Sequence, residues 1–309
     1  MQSMNAKEGR LYKIRSYWNR PHHAAYLFIA PALLIITLFV VVPLISSFII
    51  SLTDMDIFMQ DVKFIGFKNF TKSFREERVW NAFMNTFKYV FFSVPIQIAV
   101  SLVLAFWLYH SDWLSKMMRS VYFIPVICSF SSLGIMFKIF FGSAVGWFPY
   151  IVSLFTKNGV PSFWTDVRYA FPLIVFISVW KKFGQTLIIL VAGINSISET
   201  YFEAAKIDGA TRKQIFRYIT IPMLWPTLSF VIVTTLIGAM QVFDVVFVTT
   251  GGGPLNSTET IVQYIYSRGF GNTYDLGYAS ALSVELFVVI AVLTLILRRY
   301  TDKKVEENT

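Results

Sequence analysis

Ionisable and amide side chains fall inside long apolar runs of this chain, among them Lys138, Lys181, Lys182, Asp244, Glu285, Gln185 and Gln241. A charge at the centre of a hydrocarbon layer costs roughly 2.5 to 3.5 kcal/mol on insertion scales, so each such group must face protein or water. Two readings are open for each. Some could line a polar path that hydrogen-bonds a passing solute, with Trp180 offering a ring face. The alternative is a set of interhelical pairs or snorkelling side chains, which is the preferred reading for Lys138 and Glu285. Trp180, Gln185, Gln241 and Asp244 are the candidates for the path.

A second constellation lies between apolar runs, in EAAKIDGATRKQIFRYITIPMLWP, and seven charges fall between Glu199 and Arg217. Thr200-x-x-Glu203 and Thr211-x-x-Gln214 both have the spacing of a capping box, in which hydroxyl and carboxyl or amide each satisfy a free amide at a helix start. Tyr201, Ala204 and Ala205 then share a face at helical spacing, as do Ile215, Phe216 and Ile219. Between them Asp208-Gly209 ends the first helix, because glycine takes the left-handed conformation that a sharp turn needs. Pro222 and Pro226 bend or end the second. The pattern specifies two short helices joined at a sharp angle.

Other chemistries are excluded. No G-x-x-x-x-G-K-[ST] occurs, and Gly251-Gly252-Gly253-Pro254 has no lysine after it, so it reads as a tight turn rather than a phosphate cradle. His22, His23 and His110 lack ligand spacing, and the single Cys128 permits no disulfide within the chain. Ser129, Ser131 and Ser132 have no histidine or acid near them in sequence that would make a nucleophile of one.

The elements that must position these residues follow from hydropathy. The 309 residues are 55% hydrophobic and 17% aromatic with only 15% charged, and the mean hydropathy is +0.58. Apolar stretches of about 20 residues are what a bilayer asks of a helix. Six are predicted: Ala25 to Leu52, Phe87 to Tyr109, Ser120 to Phe141, Ala170 to Ile194, Thr227 to Val248 and Leu276 to Leu297. The first is too long for the apolar core of a signal peptide. The aromatic segment from Ser143 to Val167, broken by Pro and Gly, reads as an interfacial half-helix or a short re-entrant piece. The net charge of +9 does not point to nucleic acid, because the bases gather at the ends of apolar segments. With both termini cytoplasmic, fifteen Lys and Arg lie inside and eight outside, as the positive-inside rule asks. That orientation puts the two-helix segment on the cytoplasmic face.

The segment resembles the EAA loop of permease subunits of binding-protein-dependent ABC importers. Glu203, Ala204, Ala205, Asp208, Gly209 and Ala210 stand in the matching positions, as do Ile219 and Pro222. Two further stretches, WKKFGQTLIILVAGINS from Trp180 and TTGGGPLNSTETIVQYIYSRGF with GYASAL from Thr249, resemble the maltose, lactose and glycerol-phosphate branch. The resemblance implies an all-α, polytopic fold with six transmembrane helices and a cytoplasmic coupling loop. It implies residues 25–299 as one permease domain carrying the loop at 200–226, between cytoplasmic segments 1–24 and 300–309. It implies a bacterial or archaeal cytoplasmic membrane, import of a sugar, oligosaccharide or related polyol, and Glu203, Ala204, Ala205, Asp208, Gly209 and Ala210 as the contact with an ATPase. Glu203 is open to both a capping and a contact role, and GGGP to a contact with the binding protein. The chain itself is then no enzyme and holds no cofactor. ATP and magnesium belong to two partner ATPase subunits, and a second permease and an extracytoplasmic solute-binding protein complete the assembly. The rival is a secondary transporter driven by an ion gradient, with Asp244 or Glu285 as proton site. Such proteins show repeats and helices broken at mid-membrane, neither of which is legible here.

Overall fold

The computed structural model describes residues 21–59, 61–110, 112–143, 146–155, 162–271 and 273–308. Most of the expected segment 1–24 and residues 156–161 of the expected half-helix lie outside them. The first span is built from α1 (Pro21–Ile36), a π-helical stretch (Thr37–Val41) and α2 (Val42–Ser51). Pro43 lies two residues past the wide turns, where a missing backbone N–H opens the ladder. On the far side of an irregular loop, α3 (Lys68–Arg75) leads into the long α4 (Glu77–Leu108). Next come α5 (Trp113–Ile127), α6 (Phe130–Phe140), α7 (Trp147–Phe155) and α8 (Val167–Asn195). The polar segment supplies α9 (Glu199–Ile207) and α10 (Arg212–Ile215), then a π-helical stretch (Phe216–Thr220) and α11 (Ile221–Met223). The chain ends with α12 (Trp225–Met240), α13 (Asp244–Thr249), α14 (Ile261–Phe270) and α15 (Leu276–Asn308).

Five helical stretches are long and apolar enough to cross a membrane, and the pair α5–α6 would make a sixth. Two spans differ from the sequence reading. The third is not one rod: α5 and α6 meet at 93°. The fifth is interrupted at residues 241–243, between α12 and α13. In both places side chains from a neighbouring helix reach backbone carbonyls near the break, which makes such a break tolerable in a dry interior. The last helix runs past the expected end of the span at Leu297 to Asn308.

The centre of the bundle is α8, two-thirds of whose apolar window is buried, and its most extensive neighbour is α4. Close approach explains why α5 can also lie on it. A Cβ added at Gly184 would overlap the Tyr122 carbonyl oxygen on α5, so only glycine fits. The first span contrasts with this: its apolar window has no buried residue, and it packs chiefly through α2 against α15.

Candidate functional site

The two-helix elbow forms, with its first cap differently placed than its spacing suggests. Ser198 is the N-cap of α9, in extended conformation, and Glu199 is its first residue. Thr200 therefore lies within the first turn, its hydroxyl 2.9 Å from that of Ser198. The Thr200–Glu203 box is not made, because the helix has already started two residues earlier. Glu203 is exposed and forms no hydrogen bond or ion pair among the described residues. Its capping role falls away. The buried face also differs: Phe202 and Ala205 point inward, whereas Tyr201 and Ala204 face out with Ile207, which is 86% exposed.

The turn carries a complete Schellman closure. Ala210 N donates to Ala205 O at 2.9 Å and Gly209 N to Lys206 O at 3.1 Å, the six-to-one and five-to-two bonds of that motif. Gly209 sits at φ +74°, where an L side chain is strained. The second box is present: Thr211 N donates to Gln214 Oε1 at 2.7 Å, and Gln214 N donates back to Thr211 Oγ1 at 3.4 Å. Ile215 is buried, with Phe216 and Ile219 partly so.

These inward residues seal the elbow to the bundle. Phe202, Ala205 and Ile215 join one apolar cluster with Ala105 and Leu108 of α4, Leu187 to Ile194 of α8 and Leu228 of α12. The Phe202 ring lies 6.0 Å from Tyr109, and Phe216 lies 4.8 Å from Phe106. Burying an apolar side chain of this size stabilises by about 1.5 to 3 kcal/mol. The elbow is thus packed against three spans instead of hanging as a loose loop.

The intramembrane polar groups fall into three places. Lys181 donates to the Pro125 and Val126 carbonyls at 3.3 and 3.1 Å, at the open C-terminal end of α5. Its ammonium also lies 4.7 Å from the Phe130 ring. Lys182 donates to Gly238 O of α12 at 3.4 Å, one turn before the break in span five. Asp244 is exposed at the start of α13, just past the break. Gln241 is exposed at the break itself. On α8, Gln185 is exposed and Trp180 half-buried, with its ring edge-on to Phe137 at 5.4 Å. Five positions apart on a helix is about 140° of rotation, so Trp180 and Gln185 do not share a face. Glu285 meets the Ser73 hydroxyl on α3, and Lys138 donates to Val248 O at 3.5 Å. Both are thereby placed in interhelical contacts.

A hub that sequence reasoning missed lies at the other end of the bundle. Glu76 accepts from Tyr264 at 2.5 Å and Tyr278 at 2.6 Å and pairs with Arg268. Burial raises the Glu76 carboxyl, but the two phenols and the Arg268 guanidinium outweigh it and hold it below the usual carboxylate range. Beside it Arg78 forks onto Glu259, with both bonds at 2.8 Å. Asn85 donates to the carbonyls of Asn256 and Glu259 at 2.9 and 3.1 Å. The GGGP segment just before these contacts forms a turn, with Gly251 and Gly252 at φ +60° and +94° and the Thr258 hydroxyl donating to Gly253 O at 2.6 Å.

Fold and site together define a polytopic helical membrane protein with a capped, bundle-sealed elbow. The chain belongs to the family described as binding-protein-dependent transport system inner membrane component, which matches residues 70–307. Relatives include the lactose transport system permease protein LacF of Rhizobium radiobacter, 34% identical over 273 residues, covering 87% of this chain and 91% of that one. The probable ABC transporter permease protein YesP of Bacillus subtilis is 33% identical over 285 residues, covering 89% of each. Among solved structures, a chain of a bacterial alginate ABC transporter in complex with its pentasaccharide-bound periplasmic protein superposes with a TM-score of 0.81 at 23% identity. It covers 96% of this chain and 98% of that one, and so supports the fold. The family and its sugar-permease relatives stand against the gradient-driven rival.

Proposed function

We propose that this chain is the membrane-spanning subunit of an ATP-driven importer for a carbohydrate or related polyol, with the elbow as its point of coupling. The observation that carries the reading is the family match over residues 70–307, whose elbow is both capped and sealed to spans two, four and five. In this reading Glu203, Ala204, Asp208 and Gly209, all exposed, present α9 to an ATPase, while Ala205 and Ala210 hold it to the bundle. ATP and magnesium are bound by two separate ATPase subunits. A second permease completes the pathway, and an extracytoplasmic binding protein delivers the sugar, as the lactose relative's name suggests for its own cargo. The elbow and both termini are cytoplasmic. Residues 25–299 act as one membrane domain carrying the loop 200–226. ATP-driven closure of the ATPases moves the paired elbows and shifts the spans between inward-open and outward-open states, each ligand favouring one of them. Gln241 and Asp244, at the break in span five, and Trp180 and Gln185 on α8 are the groups offered to sugar hydroxyls and ring faces.

The test is uptake of labelled sugars into vesicles containing the chain with its copurifying subunits. Uptake should require ATP inside and loaded binding protein outside, and should survive an uncoupler. Uptake that persists without ATP and collapses with the uncoupler would sink the proposal. Glu203→Lys should abolish sugar-stimulated ATP hydrolysis while leaving insertion intact, because no cap depends on Glu203.

A further inference from the structure

An open pocket of about 670 Å³ lies between the end of α4 and the elbow. One wall is apolar and aromatic, from Val103, Phe106 and Trp107; the other carries Lys206, Arg212 and Lys213. Val103 and Trp107 are 49% and 70% exposed on the flank of a membrane span. The three cations are exposed too, and among the described residues none of them forms an ion pair. The pocket thus opens at one end onto a hydrocarbon-facing helix surface and at the other onto unpaired positive charge.

We propose that this pocket binds the headgroup of an anionic phospholipid, with the phosphate against Lys206, Arg212 and Lys213 and the glycerol and upper acyl chain against Trp107, Phe106 and Val103. The chemistry is that of basic side chains beside a membrane span attracting anionic lipid, with an indole at headgroup depth. An acidic protein surface could satisfy the cations, but it would leave the wall on α4 facing lipid without a complement. The occupant would join span two to the elbow and make coupling depend on lipid composition. The inference rests on the elbow lying at a membrane surface, whichever surface that is.

The test uses the full chain, with its copurifying subunits, in vesicles of phosphatidylcholine. Tryptophan fluorescence is quenched either by brominated phosphatidylglycerol or by brominated phosphatidylcholine at the same fraction. The signal of Trp107 is taken as the difference from Trp107→Phe. Quenching of Trp107 should favour the anionic lipid, and the paired change Arg212→Gln with Lys213→Gln should reduce that preference by roughly tenfold or more. The charge-keeping pair Arg212→Lys with Lys213→Arg should restore it, which separates lost charge from a misfolded elbow. Equal quenching by the two lipids would overturn the proposal. Loss of the preference on adding inorganic phosphate would assign the site to a soluble anion, and a preference that appears only after the ATPase subunits are stripped away would assign it to a protein partner; either overturns the lipid. Both leaflets carry quencher, so the result does not depend on sidedness. ATP-dependent uptake with no lipid preference would sink this inference alone, and a lipid preference with no ATP-dependent uptake would sink only the transport reading.

Discussion

Replacing Gly209 separates backbone strain from packing unusually cleanly. A Cβ built there meets nothing within 4 Å, yet φ is +74°. The whole cost of a side chain is therefore conformational: about 1 to 2 kcal/mol for an L residue in the left-handed region. It should be least for asparagine, whose side chain tolerates that region, and greatest for a β-branched residue. A cost of 1 to 2 kcal/mol is a factor of roughly 5 to 30 in the population of the closed turn. Both Schellman bonds, from Gly209 and Ala210, open with the turn and let α9 swing away from α10. Gly209→Val should insert normally, since no span is altered, but bind its ATPase poorly and lose most stimulation by sugar-loaded binding protein. Gly209→Ala should be intermediate and Gly209→Asn close to unchanged. The assay is ATP hydrolysis by reconstituted vesicles with and without loaded binding protein, alongside copurification of the ATPase. Wild-type stimulation in Gly209→Val would refute the coupling role of the turn. Equal loss in Asn and Val would show that the cost is not backbone strain.

Gly184→Ala should destabilise the bundle by about 1 to 3 kcal/mol or more, because the added methyl overlaps the Tyr122 backbone carbonyl, which cannot swing aside; a lower melting temperature in detergent checks it, and wild-type melting would contradict the close packing of α5 on α8. Glu76 predicts a pH dependence. Its carboxyl is held below its ordinary value when folded, so its contribution is full above the unfolded value of about 4.3 and is lost as pH falls through the lower folded value. Melting temperature followed downward from about pH 5 should fall more steeply in the parent chain than in Glu76→Gln, and parallel curves would count against the hub. For sidedness, a cysteine at Leu255, which is 91% exposed, should react with an impermeant reagent in intact cells, whereas one at exposed Asp302 should react only after lysis. The reverse pattern would invert the proposed orientation.

Sequence legibility followed the distance over which each feature is determined. The second, fourth and last spans are fixed by length and hydropathy; their helices cover the expected residues except Tyr109, the cap of the second. The Thr211–Gln214 box lies within four residues and forms as its spacing requires. Thr200–Glu203 has the same spacing, but the helix begins at Glu199, with Ser198 at the N-cap position making no side-chain capping bond, so Thr200 falls inside the first turn. That shift turns Phe202 inward in place of Tyr201 and Ala204. The breaks in spans three and five have no local signature strong enough to reveal them, because what accommodates them is tertiary: ammonium groups on α8 reach carbonyls of α5 and α12. The Glu76 hub was beyond reach for the same reason. Its phenolic partners lie 188 and 202 residues further along the chain, and no windowed pattern links them.

The pairing of the first span with the last one has a temporal side. Translation proceeds at about 5 to 20 residues per second. Some 225 residues separate Ser51 from Leu276, so α2 is made roughly 10 to 45 seconds before α15, its chief neighbour, exists. For that interval α2 lacks its chief neighbour, and the strongly apolar composition of the first span suits it to lipid. Biogenesis therefore closes like a clasp: α2 is made long before the helix it packs against. A ribosome stalled before Leu276 would leave that segment free to be captured by a chaperone or by another nascent chain.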